Sequence, residues 1–97
     1  MKIRWALSAR TEFERIAAWS WREHPETTER FLTGLLNHME LVERFPLMGP
    51  LYRGKRADIR RFLHSPCYIY YRIDPEVEVV EILHIWHRSR KGPEFLA

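Results

Sequence analysis

The chain has 97 residues, 45 % of them hydrophobic and 13 % aromatic, which fits one domain, residues 1–97, and excludes a disordered chain. Its 16 Lys and Arg stand against 13 Asp and Glu, an excess too small to name a partner by itself. Cys67 is the only cysteine, so an intramolecular disulfide is excluded, and its place in an apolar run predicts a buried small hydrophobe.

Residues 2–7 alternate, with Ile3, Trp5 and Leu7 opposed to Lys2 and Arg4, the period of a half-buried strand. Ser8 is positioned to cap a following helix. Phe13, Ile16, Ala17 and Trp21 recur at helical spacing, with Trp19 broadening the stripe. His24-Pro25 ends this helix, because proline cannot continue the backbone hydrogen bonding, and Pro25 opens the next one at its first position. The second helix is expected to run to about Arg44 with Phe31, Leu32, Leu35, Leu36, Met39, Val42 and Phe45 on its apolar face. Pro46 and Gly49 punctuate the turn after it.

Three strands are then expected. Asp58 to His64 alternates Ile59, Arg61 and Leu63 against Arg60, Phe62 and His64. Cys67 to Ile73 follows a Ser65-Pro66 turn and sets Tyr68, Tyr70 and Arg72 against Cys67, Ile69, Tyr71 and Ile73. Val77 to about His87 follows an Asp74-Pro75-Glu76 turn. Short turns make these an antiparallel meander. The expected fold is α+β, in the order β-α-α-β-β-β, with the helical hairpin covering one face of a small, mainly antiparallel sheet. The other face is left for a partner.

Charge is placed unevenly. Residues 1–51 carry 7 basic and 7 acidic side chains, and residues 52–97 carry 9 and 6. Arg53, Lys55, Arg56, Arg60 and Arg61 form one basic cluster, interrupted by Asp58, and Arg88, Arg90 and Lys91 form a second. Such clusters suit a polyanion or an acidic protein segment, and equally a solvated surface. Arg61 beside His64 has the makings of a phosphate-binding and proton-moving set, while Tyr68 beside Arg72 offers either a stacking surface or ordinary strand tyrosines. His84 and His87 differ in parity on a regular strand, His84 lying with Ile82 and Trp86 and His87 with Leu83 and Ile85, so they make poor joint metal ligands. No metal or other cofactor is expected. No nucleotide-binding or serine-nucleophile motif is present. The N-terminus shows no hydrophobic stretch of signal-peptide length, and the expectation is a cytoplasmic protein without a membrane partner.

Several stretches together resemble the RelE/ParE toxin superfamily. They are the strand ending before an amphipathic helix, Phe31 to Leu41 closing in Pro46-Leu47-Met48-Gly49, the pair Ile59-Arg60-Arg61 and Tyr68-Ile69-Tyr70-Tyr71-Arg72, and Ile82 to Arg90 with Pro93. The resemblance covers nearly the whole chain. It implies the toxin of a type II toxin–antitoxin system, with a cognate antitoxin as partner. RelE-like members cut messenger RNA on the ribosome without a metal, and ParE-like members poison DNA gyrase.

Residue by residue, Arg61 fills the RelE-like basic position on the second strand and Arg88 the arginine after the closing histidine. The RelE-like arginine of the third strand is replaced by Tyr68, and the tail tyrosine is absent from Pro93-Glu94-Phe95. A ribonuclease would therefore rely on His87, Arg61, Arg88 and His64. The turn and the closing strand lean towards ParE, which makes gyrase poisoning the first expectation and RNA cleavage the second. A non-toxic remnant that only binds antitoxin is the third. Target or antitoxin binding is assigned to Arg53, Lys55, Arg56, Arg60, Arg61, Tyr68, Arg72, Arg88, Arg90 and Lys91.

Overall fold

The computed structural model describes residues 1–52 and 58–90. Strand β1 (Lys2–Trp5) leads into helices α1 (Leu7–Glu23) and α2 (Pro25–Arg44), followed by β2 (Ile59–His64), β3 (Cys67–Asp74) and β4 (Val79–His87). The sheet order is β1-β4-β3-β2. β1 pairs with β4 in parallel, while β4–β3 and β3–β2 are antiparallel. The expected α+β architecture is thus the observed one.

The hairpin turn of the helices is a single residue. His24 follows α1 and precedes α2, with Pro25 at the first helical position. Thr28, buried, donates its hydroxyl to the His24 carbonyl (2.7 Å) and is hydrogen-bonded to Ser20 across the hairpin. The buried stripe of α2 is Thr28, Leu35, Met39 and Val42. It packs with Ala9, Phe62, Ile69, Tyr71, Val80, Ile82 and Ile85 into the core between hairpin and sheet. Leu36 and Phe45, expected on this stripe, are each 61 % exposed, and Trp19 and Trp21 also face solvent. The sheet is narrow, so it covers less of the helices than their apolar residues could fill.

Three further expectations change. The chain turns from β1 into α1 at Ala6, two residues before Ser8, so Ser8 caps nothing and instead donates to the Leu83 carbonyl (2.8 Å). β4 begins at Val79 rather than Val77, because Glu78 has φ of 54° and the left-handed conformation ends the extended run. The register of β3 and β4 shifts between Tyr70, opposite His84, and Tyr71, opposite Ile82. This bulge at Leu83 reverses the alternation. Ile82 and Ile85 both face the helices, while Leu83 and Trp86 face the other side. His87 consequently shares a side with Ile85 but not with Leu83.

Past Ile82, β4 has lost β1 as a neighbour, and α1 takes over the exposed edge. The Ala6 amide donates to the Ile82 carbonyl (2.9 Å), Ser8 reaches Leu83, and the Glu12 carboxylate accepts from the Ile85 amide (3.1 Å) and from His84 Nδ1 (2.9 Å). His84 is thereby a structural residue.

Behind β2, His64 Nε2 lies 3.1 Å from the Phe31 carbonyl, and since a carbonyl accepts, this nitrogen carries the proton. In the neutral pair His38 Nδ1 then donates to His64 Nδ1 (3.3 Å). Burial, and next the charge on His64, hold His38 below the usual histidine range. The unfolded chain therefore takes up this proton before the folded one does, and stability present above about pH 6.5 is lost as the pH falls below it. Urea denaturation of the wild type and His38→Gln at pH 7.5 and 5.5 should show a smaller loss in the variant.

The turn at residues 45–50 is pinned by one phenol. Tyr71, fully buried, donates its hydroxyl to the Pro46 carbonyl (2.7 Å) and accepts from the Gly49 amide (2.9 Å). A Cβ at Gly49 would stand 2.7 Å from that oxygen and 2.9 Å from the Arg61 carbonyl, so only glycine fits. Burial pushes the Tyr71 phenol up from its ordinary range, which keeps it a donor. Tyr71→Phe should lower the unfolding free energy by about 1–3 kcal/mol, since the Gly49 amide loses its partner. The same urea titrations measure it.

Candidate functional site

The sheet face away from the helices carries its own small aromatic layer. Ile59 and Tyr70 are buried there under Tyr52, Tyr68, Leu83 and Trp86. Tyr52 reaches this layer because the segment after Pro50 folds back along β2. The Arg61 amide donates to Pro50 (3.1 Å), the Tyr52 amide donates to Ile59 (2.8 Å), and Leu51 pairs with Arg60.

On top of this layer sits Arg61. Its guanidinium carbon lies 3.9 Å from the centre of the Tyr68 ring and 4.7 Å from that of Tyr52, and it donates to the Tyr70 hydroxyl (3.3 Å). Each stacking is worth about 0.5–1 kcal/mol at an exposed site. The cation is held over these rings with no carboxylate opposite it among the described residues. A second stacked cation, Arg90, lies 3.7 Å from the Trp86 ring on the same face. The face thus presents two oriented guanidinium groups bordered by aromatic rings, able to hold a carboxylate or phosphate and to pack against a flat partner.

The other candidate residues are placed differently. Arg60, one residue away, points to the helix side and donates to the carbonyls of Gly49 (2.8 Å) and Leu47 (3.4 Å). It is spent on the turn. Arg72 is on the open face, but Glu81 (3.1 Å) and Asp74 (3.7 Å) neutralise it, with Arg4 on the other Glu81 oxygen (3.0 Å). His64 is wedged against α2, across the sheet from Arg61, so the two cannot form one site. The reason is strand parity, three residues apart on a regular β2.

His87 ends β4 on the helix side. Its Nδ1 accepts from the Ser89 amide (3.1 Å), which leaves the proton on Nε2. Arg88 is exposed in the turn beyond, its amide donating to Pro66 (2.9 Å). Arg53, Lys55, Arg56 and Lys91 lie outside the described residues. Sequence reasoning missed Tyr52 and Trp86 as members of the face. Tyr52 precedes any strand pattern, and only the bulge turns Trp86 to this side. Cys67, as expected, is buried, and burial raises its thiol pKa. No described helix is long and apolar enough to cross a membrane.

Comparison with known proteins gives a consistent likeness. Residues 3–92 match the family model described as ParE toxin of type II toxin-antitoxin system, parDE. The Sinorhizobium fredii protein named "Putative toxin Y4kP" is 25 % identical over 83 residues, 86 % of either chain. Among solved structures, the chromosomal ParDE TA system from P. aeruginosa aligns with a TM-score of 0.72 at 16 % identity, over 90 % of this chain and 95 % of that one. The YoeB/ParE toxin from Agrobacterium tumefaciens aligns at 0.69 with 17 % identity, over 92 % and 100 %. These two structures share the fold.

The neighbouring arginines should separate in a stability measurement. Arg60→Ala frees two turn carbonyls from a charged donor and should cost about 1.5–3 kcal/mol. Arg61→Ala should cost less, about 1–1.5 kcal/mol, since two ring stackings and a long hydrogen bond to the Tyr70 hydroxyl are lost but no turn carbonyl is left without its donor. Equal costs in chemical denaturation would contradict this assignment.

Proposed function

The chain belongs to the family of ParE toxins of type II toxin–antitoxin systems, and from that premise we propose that it arrests growth by poisoning DNA gyrase and is held inactive by a cognate antitoxin. The family match over residues 3–92 carries this reading. The composition of the open face supports it, because stacked arginine, tyrosine and tryptophan are the residue types that dominate protein–protein hot spots. Arg61 and Arg90 would engage acidic groups of the target, and Tyr52, Tyr68 and Trp86 would supply contact area at low entropic cost.

The ribonuclease alternative asks for a proton-transfer group beside the phosphate-binding cation. Among the described residues no histidine stands next to Arg61. His38 and His64 lie behind the sheet, His84 is held by Glu12, and His87 faces the helix side. This weighs against RNA as the substrate of the open face.

Purified gyrase should lose supercoiling activity and accumulate cleaved DNA complexes in the presence of the protein. Arg61→Ala and Trp86→Ala should each weaken the effect about ten-fold or more, on the scale of hot-spot residues. Undiminished supercoiling at large molar excess would sink the gyrase reading. Message cleavage after induction, abolished in His87→Ala, would replace it with the ribonuclease one.

A further inference from the structure

His38 on α2 and His64 on β2 meet Nδ1 against Nδ1, at 3.3 Å. That exceeds the roughly 2.7–3.2 Å of a good N–H hydrogen bond. It matches two nitrogens on one tetrahedral zinc ion, which at Zn–N of about 2.0–2.1 Å stand about 3.3–3.4 Å apart. The rings are inclined at 72° with centres 5.5 Å apart, so neither covers the other. His64 is set up as a ligand by its other nitrogen. Nε2 donates to the Phe31 carbonyl (3.1 Å), which fixes the tautomer with the Nδ1 lone pair turned to His38. Metal-binding histidines are held in this way, by a backbone carbonyl or carboxylate on the second nitrogen. Gly34 makes the seat for the ring, since a Cβ there would stand 3.0 Å from His64 Cε1 and 3.4 Å from Nε2. His38 lies against Phe62, ring centres 4.2 Å apart. Both imidazoles are half-buried.

We propose that His38 and His64 form a binding site for a divalent transition-metal ion, Zn²⁺ in the first place, held by the two Nδ1 atoms. The site is independent of the toxin reading above. Imidazole nitrogen suits zinc and copper, whereas magnesium and calcium call for oxygen ligands. In the metal-free pair the proton between the rings sits on His38 Nδ1. On binding it moves to His38 Nε2, so that both Nδ1 lone pairs face the ion and no net proton is released. Among the described residues no third His, Cys, Asp or Glu completes a cluster, so water fills the remaining positions. An ion here ties α2 to β2, the last strand of the sheet. It stabilises the fold by mass action, because the two histidines are 26 residues apart in sequence and only folding brings them together.

The full chain without an affinity tag, dialysed against Zn²⁺ at pH 7.5, should bind one ion per molecule, and zinc should raise its midpoint of urea unfolding. His38→Gln and His64→Gln should each weaken zinc binding about ten-fold or more, at least the loss caused by removing an outer partner of a metal-bound histidine. Both should abolish the zinc-dependent shift of the midpoint. His24→Gln and His84→Gln should leave binding and shift unchanged. If His64→Gln does not fold, His38→Gln decides, together with the electron paramagnetic resonance of bound Cu²⁺. That spectrum should show coupling to two imidazole nitrogens in the wild type and to one in His38→Gln. Absence of zinc binding by the wild type, or binding undiminished in His38→Gln, overturns the proposal. Loss of binding in His84→Gln alone assigns the ion to His84 and Glu12 instead and overturns it equally.

Discussion

The Tyr71 hydroxyl ties the layers of this molecule together. It sits on the helix side of β3, yet its two hydrogen bonds go to Pro46 and Gly49 in the turn that leaves α2. Arg60 reinforces the same turn from the next strand. Once that turn is fixed, Pro50 and Tyr52 fall alongside β2, and Tyr52 lands on the opposite face beside Arg61. One buried phenol therefore sets the position of an aromatic ring on the far side of the sheet. The pairing is economical because the phenol satisfies a backbone donor and a backbone acceptor at once, both of which would otherwise be costly to bury.

The two faces of the sheet consequently differ in kind. Behind it, His64 and His38 serve packing by holding α2 to β2, while His84, opposite Tyr70 on the open face and in ring contact with Trp86, is held at the sheet edge by Glu12 of α1. In front, cations are either neutralised, as Arg4 and Arg72 are by Glu81, or held over aromatic rings, as at Arg61 and Arg90. Cations held over rings suit recognition, since they need little reorganisation when a partner arrives. Proton-moving chemistry would need a histidine beside a stacked cation, and strand parity keeps His64 from Arg61 while His84, two strands from Arg61, is held by Glu12.

Much of this was legible in the sequence. Pro25 marked the helical turn, and alternation in Cys67 to Ile73 put Tyr68, Tyr70 and Arg72 on the face away from the helices, although Tyr70 is itself buried in the aromatic layer there. Parity likewise separated Arg60 from Arg61. What Arg60 does was not legible, because its acceptors, the carbonyls of Leu47 and Gly49, carry no side-chain signal. The bulge at Leu83 was also hidden. No glycine or proline marks it, and it falls where β1 ends as a neighbour of β4, which is a property of the whole sheet. Ser8 looked like a cap because the chain's turn at Ala6 has no sequence mark. Trp19 and Trp21 obeyed helical spacing yet lie outside the core, since periodicity gives a direction and says nothing of whether another layer is there to meet it.

The central claim is that the open face, with Arg61 at its middle, meets the target. Leu63 lies on that face and is 44 % exposed, while Leu36 is exposed on α2, on the other side of the molecule. A photo-crosslinking amino acid placed at each position and irradiated with gyrase tests the claim directly. The account predicts a toxin–gyrase crosslink from position 63 and none from position 36. A crosslink from position 36 alone would contradict it.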